Sequence, residues 1–264
     1  MSARTSSGPG IATRVFGSQW FVSVLAVLIA FAIGAILIAL SGASVVDAYY
    51  AMFRGSIVDP NAANAVRMIK PLTDSLFYSI PLIISGLGLA LGFRAGLFNI
   101  GGKGQIIVGA LAAVWVGFSL NLPPVVHTLV ALLVAIVAGG LYGGIAGVLK
   151  AKTGANEVIV TIMLNSIAAH LLSQVLSLKA FNGEGETGNR KSLTVVDTAQ
   201  YPSLAGDSFR LHTGFLLALL VAVAVWWLME RSRLGFQLRA TGLNADAART
   251  AGMSVPWVTS LVMM

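Results

Sequence analysis

Six apolar stretches, each at or near the length needed to cross a bilayer, leave this chain few folds to choose from. Trp20–Leu40, Leu72–Phe93, Gln105–Leu120, Val125–Leu149, Val158–Leu178 and His212–Met229 follow one another, and Val255–Met264 begins a seventh. As a helix the first run is about 32 Å long, enough to cover the hydrocarbon core. Inside a bilayer each backbone N–H and C=O must be satisfied within the protein, so such runs are helices. The expected fold is all-α: a polytopic transmembrane bundle of six spans and the start of a seventh, with an interrupted helix near 96–105. Composition agrees, with 56% hydrophobic and only 10% charged residues, against roughly 25% charged in soluble domains. Residues 1–19 read as a cytoplasmic amino-terminal arm and 20–264 as the transmembrane domain, which is expected to be incomplete at its carboxyl end. The first run exceeds the roughly 7–15 apolar residues of a secretory signal, and five more spans follow, so it is expected to be retained.

The net charge of +7 does not mark a nucleic-acid binder, because the basic residues are scattered over short loops without a stripe. Lys and Arg on cytoplasmic loops are the ordinary cause, and lipid is the implied surroundings. With the amino terminus inside, inner segments hold ten Lys and Arg and outer segments seven. The local pattern is sharper: the 121–124 connection is uncharged, while 150–152 and 231–249 are basic. The amino terminus is therefore placed in the cytoplasm. There is no cysteine, so thiol chemistry is absent. The two long outer connections, 41–71 and 179–211, read either as solvated loops or as docking surfaces for an external partner; the second holds the turn-rich run Asn182-Gly183-Glu184-Gly185-Glu186 and Gly188.

Polar residues stand out against this background. Arg94-Ala95-Gly96-Leu97-Phe98-Asn99-Ile100-Gly101-Gly102-Lys103-Gly104-Gln105 packs glycines and two amides between two spans. Irregular backbone near a bilayer survives where protein covers it or water reaches it, and transporters place broken helices along the solute route. Asn99, Gly101, Gly102 and Gln105 are thus pathway candidates, a plain cytoplasmic turn being the other reading. Asn156 can cap the following span, with Glu157 in its first turn. Glu157, Thr161 and Asn165 recur at i, i+4 and i+8 on one face. Thr161 and Asn165 join the pathway set, although Thr and Asn also serve as glue between packed spans. Ser166, His170, Ser173 and Ser177 form a second stripe, with His170 expected to be a hydrogen-bonded interior residue. Gly139, Gly143 and Gly147, with Gly140 and Gly144 alongside, make a smooth face for close helix approach.

One basic connection has a more definite form. In Leu234–Gly252, Asn244 is a good N-cap and Asp246 lies in the first turn. Ala247, Ala248 and Ala251 favour helix, and Gly252 suits the left-handed C′ position. The result is a helix of about two turns, too short and polar to span. So short a helix is marginal alone, and complete capping suggests that it holds its shape for a contact.

Three stretches now carry a resemblance: Gly96-Leu97-Phe98-Asn99-Ile100-Gly101-Gly102-Lys103-Gly104-Gln105; Asn156-Glu157-Val158-Ile159-Val160-Thr161-Ile162-Met163-Leu164-Asn165; and Arg239-Ala240-Thr241-Gly242-Leu243-Asn244 running on to Ala247-Ala248-Arg249 and Gly252. In order and spacing they resemble the permease subunit of bacterial ATP-binding-cassette importers of the ribose and branched-chain amino acid type, closest to nucleoside and simple-sugar permeases. The resemblance implies that the first stretch lines the translocation pathway. It implies that Arg239, Gly242, Asn244, Ala247, Ala248, Arg249 and Gly252 belong to the segment that couples to a cytoplasmic ATPase. The implied partners are the ATPase subunits, a second permease subunit and an extracytoplasmic solute-binding protein, in the bacterial inner membrane. The family usually has an acid where this chain has Lys103, and often proline where Ala245 stands.

Other activities lack their residues. No Gly-x-x-x-x-Gly-Lys-Ser/Thr phosphate loop occurs, so ATP and Mg are expected on the partner ATPase and no cofactor on this chain. No His-Glu-x-x-His or His-x-x-x-His spacing offers a metal site, and Ser85-Gly86 lacks the glycine pattern of an intramembrane serine protease. No catalytic residue is assigned. An ion-coupled carrier, the alternative transporter class, would carry buried acids or arginines within its spans; Asp74, the nearest such group, lies close to a span end. The expected cargo is a polar uncharged solute, a nucleoside first and a pentose or related sugar second.

Overall fold

Each of the six expected spans is a helix in the computed structural model, which describes residues 19–183, 190–206 and 208–264. They are α1 (Gln19–Leu40), α3 (Ala65–Arg94), α4 (Gly102–Ser119), α5 (Pro124–Thr153), α6 (Glu157–Val175) and α7 (Gly214–Arg231), each long and apolar enough to cross a membrane. The others are α2 (Val45–Ser56), α8 (Arg233–Leu243), α9 (Ala245–Thr250) and α10 (Val255–Met263), the last being the expected start of a seventh run. A two-stranded antiparallel ribbon, β1 (Asn182–Gly183) with β2 (Lys191–Ser192), pairs Asn182 with Ser192 and Gly183 with Lys191. The class is the all-α membrane bundle read from the sequence. Most of the amino-terminal arm 1–19, with Arg4 and Arg14, and Glu184, Gly185, Glu186 and Gly188 lie outside the described residues.

The chain packs as two units, one running to Ser75 and the other Leu76–Met264. In the first, α1 has no buried residue among Trp20–Leu40 and is apolar all round, as a helix surrounded by lipid should be. The 41–71 connection, read as a loop, contains α2. Ser44 caps it, accepting from the Asp47 N–H (3.3 Å), and Asp47 sits in the first turn. The third helix begins at Ala65, not Leu72, because Asn64 Oδ1 accepts from the Arg67 N–H (2.9 Å).

Between α2 and α3, Arg54 Nε and Nη2 donate to the two oxygens of Asp59 at 2.8 and 3.0 Å. The guanidinium's hydrogen bonds hold the Asp59 carboxyl below its ordinary range, and Asp59 raises Arg54 in turn. A carboxyl depressed on folding contributes stability above its unfolded pKa of about 3.9, which is lost as pH falls through the folded value. The Asp59 carboxyl is therefore expected to titrate below about 3.9 by NMR in detergent, and Arg54→Leu to raise its midpoint. An unchanged Asp59 midpoint in Arg54→Leu would show that the pair is not formed.

In the second unit, α5 is the centre, and its glycine face does what its spacing predicts. A Cβ added at Gly139 would lie 3.1 Å from Gln105 O, and one at Gly147 2.8 Å from Ser260 Cα, so α4 and α10 press backbone to backbone on α5. Gly109 of α4 completes the seam, 3.0 Å by the same measure from Ala135 O. Ala95, Leu97, Ala146, Leu238, Val258 and Met263 form the buried apolar cluster where these helices meet α8.

Part of the 179–211 connection, Val196–Ala199, is folded back on the bundle. Val196 N–H donates to Gly117 O (3.0 Å), and a 3₁₀ turn at Asp197–Ala199 follows. His127, fully buried, links that turn to α4, with Nε2 3.1 Å from Val116 O and Nδ1 2.9 Å from Thr198 Oγ1. A carbonyl only accepts, so Nε2 carries the proton and Nδ1 takes the threonine hydroxyl.

Candidate functional site

Local rules place the glycine-amide segment. Gly96, at φ +72, ends α3: its N–H donates to Phe93 O (3.1 Å), and the Leu97 N–H reaches back to Gly92 O (2.9 Å). This is the Schellman closure, which a left-handed glycine permits. The backbone then rises over Leu97–Ile100 without regular structure, and Asn99 Oδ1 accepts from the Gly101 N–H (2.8 Å), starting α4 at Gly102. Lys103 and Gly104 are thus already helical, which lengthens the short run seen in the sequence.

The polar face of α6 holds this segment. Asn165 Oδ1 accepts from the Gly104 N–H at 2.8 Å, and Asn165 Nδ2 donates to Ile100 O at 2.9 Å. One amide therefore satisfies a donor of the first turn of α4 and an acceptor of the irregular run before it. Thr161, 2% exposed, lies against Gly101, where an added Cβ would be 3.2 Å from its Cβ and Cγ2. Its hydroxyl donates within its own helix to Glu157 O (2.7 Å). The start of the same face is anchored by Lys150 Nζ to Glu157 Oε2 (2.7 Å), while Asn156 Oδ1 accepts from Val158 and Ile159 N–H (3.0 and 3.4 Å). Ile100 thus sits at the level of Asn165, about 12 Å along α6 from its first residue. The segment therefore packs along the side of α6, with Phe98 and Ile100 themselves exposed.

Gln105 goes elsewhere. Its Nε2 donates to Met263 O (2.7 Å) between α5 and α10, against Gly143, where an added Cβ would lie 2.7 Å from Gln105 Cδ. Asn99, Gly101, Gly102, Thr161 and Asn165 thus share one neighbourhood, and Gln105 turns into the helix seam beside it. A cavity of about 590 Å³ lies past this point, between α4 and α6 under Arg190–Val195, with Ile106, Ile107, Leu111 and Leu172 in its walls. None of the six predicted pathway residues lines it. His170, expected to be interior and hydrogen-bonded, is instead exposed on α6, with no hydrogen bond among the described residues. The helical phase turns it away from the Thr161–Asn165 face.

The second site is at the end of α7. Ser232 Oγ accepts from the Gly235 N–H (3.0 Å) and starts α8, a helix that hydropathy does not reveal. Asn244 ends α8 and caps α9, its Oδ1 accepting from Asp246 and Ala247 N–H, both at 3.0 Å. At the other end Gly252 (φ +81) donates to Arg249 O and the Met253 N–H to Ala248 O, each at 3.0 Å. The expected short capped helix is therefore present, closed at both ends. Its residues divide by face. Asn244, Asp246, Ala247, Arg249 and Gly252 are exposed, whereas Ala248 is 3% exposed and packs inward. Arg249 Nη1 meets Asp246 Oδ1 at 3.0 Å, an exposed pair worth under about 1 kcal/mol. Arg239 and Gly242 sit on α8 and not on α9; Arg239 Nη1 and Thr241 Oγ1 are buried without a hydrogen-bond partner among the described residues.

Six helices of membrane length, a helix break clamped against α6 and a capped polar helix define a multi-pass helical membrane protein. The chain belongs to the family described as the branched-chain amino acid transport system / permease component, which matches residues 72–264. It is 39% identical over 238 residues to the guanosine ABC transporter permease protein NupP of Bacillus subtilis, covering 90% of this chain and 66% of that one. It is 38% identical over 241 residues to the glucose ABC transporter permease protein TsgB13 of Haloferax volcanii, covering 88% and 60%. It is 29% identical over 252 residues to the nucleoside ABC transporter permease protein NupB of Lactococcus lactis subsp. cremoris, covering 92% and 66%. The chain thus spans just under two thirds of the length of these relatives. No solved structure matches it.

Proposed function

We propose that this chain is a membrane-spanning permease subunit of an ATP-binding-cassette importer that moves a nucleoside. The observation that carries the reading is α9. A six-residue helix is marginal alone, yet this one is closed at both ends and leaves Asp246, Ala247 and Arg249 exposed. That suits a rigid key for the cleft of a cytoplasmic ATPase, which would bind ATP and Mg and hydrolyse ATP in the permease's place. On this reading the α8–α9 end and the amino terminus face the cytoplasm of the inner membrane, a second permease subunit completes the pore, and a solute-binding protein delivers cargo outside. The neighbourhood of Asn99, Gly101, Gly102, Thr161 and Asn165 is the solute route, and Gln105 a support beside it. Relatives named for guanosine and nucleosides favour that cargo, and one named for glucose supports a simple sugar as the second reading.

The test is uptake into ATP-loaded proteoliposomes containing the permease, its ATPase and its binding protein. Guanosine uptake is expected to require ATP and to survive a protonophore. Ala247→Trp and Arg249→Glu are expected to weaken recovery of the ATPase by about tenfold or more and to stop uptake. Uptake lost with the protonophore at constant ATP would make the protein an ion-coupled carrier. Uptake of glucose but not guanosine would favour the sugar reading.

A further inference from the structure

Gly242 of α8 and Gly96 touch backbone to backbone. A Cβ built on Gly242 would lie 2.9 Å from the Ala95 carbonyl carbon and 3.0 Å from that of Arg94. Real side chains essentially never approach backbone so closely, so any larger residue at 242 must push the turn away. Seen from the other side, a Cβ on Gly96 would lie 3.3 Å from Gly242 Cα, at a φ of +72 that only glycine adopts easily. Gly96 is the residue that ends α3 and starts the climb to Asn99 and Gly101; Gly242 lies two residues before Asn244, the cap of α9. The segment with the pathway candidates and the helix pair with the exposed polar key therefore meet without side chains between them. Side chains can change rotamer and absorb a displacement. Two backbones in contact cannot, because packed groups at this distance move together.

We propose that Gly242 is a positioning residue, and that its contact with the Arg94–Gly96 turn is the joint through which movement of α8 and α9 repositions the 96–104 segment. Movement of α9 is carried to α8 through Asn244, which ends one helix and caps the other. It then reaches Gly96 and, through Leu97–Ile100, the Asn165 clamp on the first turn of α4. Coupling needs such an element, one that responds to both sites. The inference rests on the reading of α9 as the ATPase-docking helix.

Gly242→Ala tests it, because alanine favours helix and leaves the exposed face of α9 untouched while prising α8 from the turn. The chain has no cysteine, so Lys103→Cys, at an exposed position, is a single reporter on the segment. Its labelling by a membrane-impermeant maleimide is followed in the assembled importer, nucleotide-free and with a non-hydrolysable ATP analogue. In the parent the two rates are expected to differ. In Gly242→Ala the ATPase is recovered as before, and the difference shrinks by about fivefold or more. Gly88→Ala, a helical glycine with nothing within 4 Å of the added Cβ, keeps the full difference. Should Gly242→Ala fail to accumulate, Gly96→Ala takes its place: it adds the strain of a φ of +72 to a looser 3.3 Å contact, and an undiminished difference in it overturns the joint. A parent that recovers no ATPase overturns the docking reading, and the joint with it. Recovered ATPase with no nucleotide response in the parent, or an equal response in parent and Gly242→Ala, overturns the joint alone.

Discussion

Gly143→Val is expected to leave almost no folded protein to purify. Position 143 is where three helices meet: Gln105 of α4 crosses the face of α5 there to donate to Met263 O of α10 at 2.7 Å. A valine Cβ would start 2.7 Å from Gln105 Cδ, before its two methyls are counted. The glutamine must leave, which strands an amide and a carbonyl at about 1–3 kcal/mol each, and overpacking adds about 1–3 kcal/mol. The sum, about 3–9 kcal/mol, is a large part of the roughly 5–15 kcal/mol that holds a typical domain together. Gly140→Ala, one turn away, is the comparison. Its added Cβ meets only Met264 O at 3.7 Å, an ordinary contact, so its thermal midpoint in detergent should match the parent. Equal yields and midpoints for the two variants would mean that the glycine face is not a packed seam.

Asn165→Leu should have the next largest effect, and it separates residues that the sequence groups together. The leucine removes both hydrogen bonds of the clamp, leaving Gly104 N–H and Ile100 O without that partner. A loss of about 2–4 kcal/mol is expected, and uptake should fall even in the fraction that remains folded, because the start of α4 is no longer held. Thr161→Val on the same face should be nearly silent for stability. Its hydroxyl bonds only to carbonyls of its own helix, at 2.7 and 3.1 Å, and valine keeps the methyl packing on Gly101. Detergent unfolding and uptake of both variants decide. If Thr161→Val costs as much as Asn165→Leu, the clamp is not the element that fixes the segment.

Much of this was legible in the residues themselves. Hydropathy found all six spans because length and apolarity are local properties, and cap chemistry found α9 because Asn244, Asp246 and Gly252 act within a few residues of one another. The i, i+4, i+8 spacing put Thr161 and Asn165 on one face, and that face meets Gly101 and Gly104. Short polar helices escaped the same reading. The second helix lies inside a stretch read as a loop although Ser44 and Asp47 carry the cap signal, and α8 lies within the basic 231–249 connection, where its one cue is Ser232. What no local pattern could give is which side of a helix faces inward. Ala248, grouped with the exposed coupling residues, is buried; His170, expected inside, is not. The approach of Gly96 to Gly242 joins distant parts of the sequence, and only the packed chain brings them together.

The α5–α6 pair bears on how the protein is made. Gly154 turns left-handed after Thr153, Asn156 restarts the helix, Lys150 reaches Glu157, and Tyr142 Oη donates to Leu164 O at 2.7 Å. All these links lie close together in the sequence, so closing them requires little loop entropy. The two helices can therefore zip into a hairpin as soon as both have left the ribosome, before α10 exists. That hairpin would give the membrane insertion machinery one preformed wedge, with Lys150 and Glu157 already paired at its tip, and the part of the α5 glycine face that meets α10 would wait in it as a template.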